Sequence, residues 1–388
     1  MNLKERAGKF QKATVAGEAY FTYIPNPLPP IPPLEMEKIY PLFEKASVAL
    51  GRLDSISHML PDSHLFLYMY IRKEAVFSSQ IEGTQSSLSD LLMYENDETP
   101  TVPVQDVMEV SNYVRAMEYG LDRLKTLPLS LRLIREIHEI LLHHGRGSGK
   151  QPGEFRRSQN WIGGTRPGNA KFVPPPPEQV LDLLSDLEKF LHDETQTLPL
   201  LVKAALIHVQ FETIHPFLDG NGRLGRLLIT FILCSDKLLS KPLLYLSLYF
   251  KVHRQAYYDH LQAVRESGDW EGWLQFFLEG VLETATQAVE TIQKVVRQFE
   301  NDQQKIETHP QNIRASLIVF HSLKKYPVTD LRKIVELCKI SKPTASKAIK
   351  NLEELNILEE ISGKERGRLY CYTQYLDILN EGINIDNG

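Results

Sequence analysis

One run of residues carries most of the chemistry legible in this chain: His215-Pro216-Phe217-Leu218-Asp219-Gly220-Asn221-Gly222-Arg223-Leu224-Gly225-Arg226. It holds an imidazole, a carboxylate, an amide, three glycines and two arginines. Glycine lets a backbone turn sharply and leaves its N–H groups uncovered. A glycine-containing loop that feeds a helix N-terminus is a ready anion site, because orphan N–H groups and the macrodipole face the ligand together. Arg223 and Arg226 are three apart and emerge on one face of the first turn. Cations are poorly placed there unless an anion lies between them and the helix end. The residue types describe a polyphosphate cradle with a base at its edge. His215 suits the base, since histidine is the usual proton acceptor near neutral pH. Asp219 suits Mg²⁺, a hard cation bound by one or two carboxylates plus phosphate oxygens.

Two apolar helices must hold that loop. Residues 200–213 are apolar at helical spacing, and residues 227–234 are almost wholly apolar, so the second helix is expected to be buried. A rival reading gathers His208, Glu212, His215 and Asp219 into a metal-hydrolase cluster. No HExxH or equivalent helix-borne pair supports it. His138, His143 and His144 also invite a metal reading. The plainer one is a histidine end to the helix of 131–143, before Gly145.

The run matches His-Pro-Phe-x-Asp-Gly-Asn-Gly-Arg-x-x-Arg at every fixed position, and in this it resembles the Fic (Fic/DOC) family, enzymes that transfer AMP from ATP to protein hydroxyls. The resemblance implies a mainly α fold: a Fic helical core with a β-hairpin flap. It implies that His215 deprotonates a Ser, Thr or Tyr hydroxyl as that oxygen attacks the α-phosphorus. Asp219 would hold Mg²⁺ between the α- and β-phosphates. Asn221 and the N–H groups of Gly220, Asn221 and Gly222 would stabilise the α-phosphate, while Arg223 and Arg226 take β- and γ-oxygens. Pro216, Phe217 and Leu218 complete the loop's nucleotide-contacting set. Ser78-x-x-x-Glu82-Gly83 resembles the family's inhibitory motif, with Glu82 denying Arg226 to the γ-phosphate: one guanidinium fork, two competing anions. Independently of the family, Ser78 and Glu82 are four apart on one helix face, and Gly83 suits a C-cap.

Residues 153–164 running into Val173-Pro174-Pro175-Pro176-Pro177 read as a β-hairpin between helices. Its open edge can grip an extended target by strand addition. By resemblance it is the flap, with Ile162, Gly163, Gly164 and Thr165 bordering the nucleotide. Tyr257 and Tyr258 line the adenine pocket by resemblance, where ring stacking is open to them; core packing is the alternative. Arg265 stands where relatives can have Asn, so no ligand role is assigned to it.

Around this core, residues 25–33 carry six prolines in nine positions and form an extended arm. Helices are expected over 35–53, 65–80, 107–124, 131–143, 178–193 and 289–307, a partly helical stretch over 86–93, and a polar loop over 94–103. Near the C-terminus, three helices (314–325, 331–338, 343–355) precede two strands (357–362, 368–373) joined by a basic turn, which resembles a winged-helix domain. Lys342, Thr344, Ser346, Lys347 and Lys350, with Lys364, Arg366 and Arg368, would face DNA, although Glu353, Glu354, Glu359 and Glu360 dilute a phosphate footprint. The expected organisation is an N-terminal region (1–105), a catalytic core (106–288), a linker helix (289–310) and the winged-helix domain (311–388).

The 388 residues, 42% hydrophobic, suffice for a large core, and the net charge of −5 gives no global pull toward nucleic acid or anionic membrane. Cys234, Cys338 and Cys371 lie far apart and form no CxxC, which suits a reducing compartment. No secretory h-region and no apolar run near the ~20 residues of a membrane span is present, so a cytoplasmic protein is expected. Three functions remain open: an autoinhibited protein adenylyltransferase that modifies a target held at the flap edge or itself, with or without homodimerisation; a nucleotide-sensing DNA-binding regulator; and an enzyme that removes AMP at the same site.

Overall fold

The two helices flanking the motif lie at the centre of the molecule. They are α7 (Leu200–Ile214) and α8 (Asn221–Ser235) in a computed structural model that describes residues 3–15, 17–59, 63–95, 100–310 and 313–381. Apart from its first residue, all of α7 is buried, as its apolar sequence requires. Most of α8 is buried as well.

The chain enters through an antiparallel hairpin, β1 (Lys9–Val15) and β2 (Glu18–Ile24), in register from Lys9–Ile24 to Val15–Glu18. This hairpin is not among the sequence expectations. Its signal is two β-capable runs around Gly17, which takes φ +83° in the turn. Then follow α1 (Met36–Met59), α2 (Ser63–Ile81), α3 (Leu88–Tyr94), α4 (Val104–Arg123), α5 (Leu131–Leu141) and α6 (Val180–His192). After α7 and α8 come α9 (Ser247–Val252), α10 (Arg254–Ser267) and α11 (Trp270–Thr308). The polar loop expected over 94–103 lies partly outside the described residues.

Two expected boundaries fall inside helices. α11 is one continuous helix of 39 residues, so no linker begins at 289. Its sequence carries no proline to break it, and it packs along α1. The boundary at 105 likewise falls within α4. The flap is also simpler than expected. Ile162 and Phe172 form a single antiparallel bridge rather than a two-stranded ladder. Gly163 and Gly164 both take positive φ, and the prolines at 167 and 174–177 cannot donate to a ladder.

The C-terminal part holds α12 (Ile313–Lys325), β3 (Val328–Asp330), α13 (Leu331–Cys338), α14 (Lys342–Glu354), β4 (Glu359–Glu360), β5 (Leu369–Cys371) and α15 (Thr373–Asn380). The small sheet has the order β3-β5-β4, antiparallel throughout. β3 was not anticipated. Ser341 caps α14 by accepting from the N–H of Thr344, with Pro343 in the first turn. No helix among the described residues is long and apolar enough to cross a membrane.

Candidate active site

α7 ends where His215 turns left-handed, at φ 49° and ψ 60°. A non-glycine residue holds that conformation only when its surroundings fix it. Here the His215 carbonyl accepts from Arg156 Nε at 2.9 Å and from Asn160 Nδ2 at 3.2 Å. Arg156 is buried and spends its fork on carbonyls: Nη2 donates to Pro175 at 2.6 Å and Ile214 at 3.2 Å. The end of α7 is therefore bolted to the base of the flap.

The loop closes on itself through Asn221, whose Oδ1 accepts from Phe217 N and whose Nδ2 donates to Phe217 O, both at 2.9 Å. One of the two N–H groups of the Asn221 amide is thus used to close the loop. His138 locks the loop from α5. Its ring stacks on Phe217 at 3.7 Å, Nδ1 accepts from Gly153 N at 2.8 Å, and Nε2 lies 3.0 Å from the Asp219 carbonyl. With Nδ1 accepting, Nε2 is the donor. Burial pushes its pKa down to about 4, so the ring is neutral. It is neither a metal ligand nor a helix cap.

Gly220 takes φ +77° and starts α8. The two arginines of the first turns then meet different carboxylates. Arg223 donates from Nη1 to Glu109 Oε2 at 3.0 Å and from Nη2 to Asp219 Oδ1 at 3.4 Å. Glu109 sits 2% exposed on α4, also held by Arg146 at 3.3 Å. Arg226 donates from Nε to Ser78 Oγ at 2.8 Å and from Nη2 to the Ser78 carbonyl at 2.8 Å and Glu82 Oε1 at 2.7 Å. Glu82 follows the end of α2, with its side chain 30% exposed. Arg223 thus has a deeply buried partner, and Arg226 has one that solvent can reach. Burial alone would raise the Glu82 pKa, but Arg226 outweighs it and holds the carboxyl below its ordinary value.

Glu82 also lies over the start of α8. A Cβ on Gly222 would fall 2.2 Å from Glu82 Oε1, so only glycine admits the carboxylate there. The carboxylate stands against a helix N-terminus, where the macrodipole favours an anion.

His215 is half-buried. Burial, then the charges of Arg265 and Arg156, push its pKa down to about 3, leaving a neutral imidazole able to accept a proton. Its Nδ1 is buried without a hydrogen-bond partner among the described residues. Asp219 is partly exposed. Both of its hydrogen bonds, from Gly220 N and Arg223, use Oδ1, so Oδ2 is unspent. One half-exposed carboxylate fits an ion that takes most of its oxygens from phosphate and water. No group of three or more potential ligands exists among the described residues, which rules against the metal-hydrolase cluster. His208 itself bonds Gly225 O at 3.0 Å and the Tyr257 hydroxyl at 2.9 Å.

The aromatic pair divides. Tyr257 is 1% exposed and anchored by His208, so it is core, contrary to the expectation that it lines a pocket. Tyr258 is 38% exposed. Ile162 is half-buried at the flap bridge, and Gly163, Gly164 and Thr165 are exposed at its tip. Arg265 is buried, donates to Thr213 Oγ1 at 3.1 Å and lies 3.9 Å over the Phe172 ring, tying α10 to the flap.

Sequence reasoning passed over Arg156, Asn160 and Glu109, and read His138 only as a metal candidate or part of a helix end. Glu109 lies 114 residues from Arg223, and no local pattern spans that distance. Arg156 and Asn160 stood in the flap stretch without a role.

Two family models match the chain: Fic/DOC family N-terminal over residues 40–122 and Fic/DOC family over 128–233. Among curated proteins, "Probable protein adenylyltransferase aq_aa38" of Aquifex aeolicus is 33% identical over 178 residues, covering 45% of this chain and 51% of its own. "Protein adenylyltransferase Fic" of Aedes aegypti is 36% identical over 152 residues, covering 39% and 27%. The chain thus spans about half or less of the length of these relatives. A solved Fic family protein from Desulfovibrio desulfuricans G20 shares the fold at TM-score 0.56 and 20% identity, over 86% of this chain and 95% of that one.

Proposed function

The chain belongs to the Fic/DOC family, and from that premise we propose that it is a protein adenylyltransferase held back by its own Glu82. The observation that carries this reading is the seat of Glu82. Its carboxylate bonds Arg226 at 2.7 Å and rests on Gly222, where a Cβ would fall 2.2 Å from Oε1.

ATP is the substrate. Its phosphates lie on the N–H groups of Asn221 and Gly222 at the α8 N-terminus, joined by that of Gly220 once it leaves Asp219 Oδ1, to which it donates at 2.6 Å. Arg223, already fixed by Glu109, meets the β-phosphate, and its buried Nε is an unspent donor. Arg226 meets the γ-phosphate once Glu82 withdraws. Tyr258 and Ile162 border the base and ribose, with the flap tip over them. Asp219 Oδ2 would hold Mg²⁺, which supplies charge neutralisation for the departing pyrophosphate. His215 takes the proton from a Ser, Thr or Tyr hydroxyl. The oxygen bonds the α-phosphorus, the bond from that phosphorus to the bridging oxygen breaks, and pyrophosphate leaves. Co-crystals with ATP and Mg²⁺ test the reading. Phosphates on the 220–222 amides are expected, and a nucleotide seated elsewhere ends it.

A second reading concerns the C-terminal module. The exposed face of α14 presents Lys342, Lys347 and Lys350, and the turn after β4 presents Lys364, Arg366 and Arg368. This is the face that a winged-helix domain lays on duplex DNA. Mobility shift of duplex fragments, abolished by K342E/K347E, is its expected signature, and no shift at low salt removes it.

A further inference from the structure

We propose that the segment modified at this site is acidic: a hydroxyl residue flanked by Asp or Glu, laid along the open edge of the flap at residues 161–163. The proposal rests on the adenylyltransferase reading and names its substrate class.

The two edges of the flap are not equivalent. One is occupied by the chain itself, since Tyr23 N of β2 donates to Val173 O at 2.9 Å. The hairpin is seated there firmly. Glu18 pairs with Arg166 at 3.1 Å, and a Cβ on Gly168 would fall 2.2 Å from Glu18 Oε1. The other edge is open. Ile162 spends its backbone inward, donating to Phe172 O at 2.8 Å and accepting from Lys171 N and Phe172 N at 3.0 and 3.1 Å. Neither Trp161 nor Gly163, which turns left-handed at φ +68° just after the bridge, has a backbone bond among the described residues, so the groups on both sides of Ile162 are open. This edge abuts the base, because the preceding Asn160 holds the carbonyls of His215 and Phe217.

The charges beside that edge select its occupant. The flap and hairpin carboxylates are already engaged: Glu154 by Arg135 at 2.5 Å, and Glu18 by Arg166. Arg157 and Lys171 are exposed and have no ion pair among the described residues. Lys171 lies across Gly163, its Cγ 3.0 Å from where a Cβ would stand. By the register of the 162–172 bridge it shares a face with Trp161, which is 39% exposed. In a chain of net charge −5, Lys171 is an unpaired cation lying against this edge, with the Trp161 ring on its face and Arg157 further back along the same segment, while the exposed carboxylate of Glu178 sits beyond the proline run. An extended segment added here advances ~3.3 Å per residue, so carboxylates within about three positions of the hydroxyl reach them.

Labelled peptides with one threonine flanked by acidic, amide or basic residues separate the possibilities. Each is assayed with the Glu82→Gly protein for binding by anisotropy and for AMP transfer. The acidic peptide is expected to bind about fivefold more tightly than its amide counterpart, the yield of two exposed ion pairs. R157E/K171E should reverse the order in favour of the basic peptide, R157Q/K171Q should level it, and KM for ATP should stay unchanged in both. Equal binding of all three peptides overturns the proposal. So does a variant that raises KM for ATP and leaves the peptide order intact, because the cations would then serve the nucleotide. An acidic preference in binding without any AMP transfer keeps the docking surface and overturns the adenylyltransferase reading instead.

Discussion

Glu82 Oε1 lies 2.7 Å from Nη2 of Arg226, and the same nitrogen donates to the Ser78 carbonyl one helical turn earlier. Ser78 on the last turn of α2 and Glu82 just past its end therefore share a single guanidinium. A phosphate that wants Arg226 must displace Glu82 but not Ser78.

Replacing Glu82 with glycine should raise AMP transfer, self-labelling included. A charge-assisted hydrogen bond contributes about 1.5–3 kcal/mol, and each 1.4 kcal/mol is about tenfold, so the gain is roughly 10- to 100-fold. Ser78 still holds Arg226 in place in this variant. Equal initial rates for the two proteins would remove autoinhibition by Glu82.

Arg156 makes a stability claim. Arg156→Met strips donors from the carbonyls of Pro175, Ile214 and His215. The His215 carbonyl keeps Asn160, and the two buried acceptors left unpaired cost ~1–3 kcal/mol each, so a loss of roughly 2–6 kcal/mol in unfolding free energy is expected, with transfer falling as the flap detaches. Arg156→Lys should not rescue either, since one ammonium cannot span carbonyls arranged for a planar fork. Full recovery in the lysine variant, by urea titration and rate, would contradict the clamp.

Glu212 gives a pH dependence. It is 6% exposed, its Oε1 has no hydrogen-bond partner among the described residues, and burial pushes its pKa up to about 7. A carboxyl raised in the folded state binds its proton there at pH values where the unfolded chain has released it. Its contribution is fully present below the ordinary carboxylate pKa and is lost as pH rises toward 7. Glu212→Gln cannot ionise, so its stability relative to the parent should improve between pH 4.5 and 7, by up to ~1.4 kcal/mol per pH unit. Unfolding titrations at pH 5, 6 and 7 measure this. A difference that does not change with pH would show that Glu212 is ionised throughout.

The elements legible in sequence were those whose signals are local. The motif, the two apolar helices around it, the end of α2 and the Ser341 cap each lie within a few consecutive turns. What escaped depended on distant partners. Nothing near residue 221 says that its amide will close a loop on Phe217, and nothing near Tyr257 says that His208 will claim its hydroxyl. The flap looked like a hairpin because its residues are β-capable, yet its glycines and prolines allow one bridge only. The linker at 289 was placed by domain logic, where an unbroken helical pattern from Trp270 to Thr308 argued for one helix. The β1–β2 hairpin had a local signal too, two β-capable runs on either side of Gly17.

The central claim is that His215 and the α8 N-terminus move an α-phosphate onto a protein hydroxyl. Incubating the Glu82→Gly chain with Mg²⁺ and ATP labelled at either the α- or the γ-phosphorus tests it most directly. The expected result is α-label retained on protein, no γ-label, and loss of the α-label in E82G/H215A while that protein still binds ATP by calorimetry. Protein-bound γ-label, or α-label that survives the loss of His215, would contradict it.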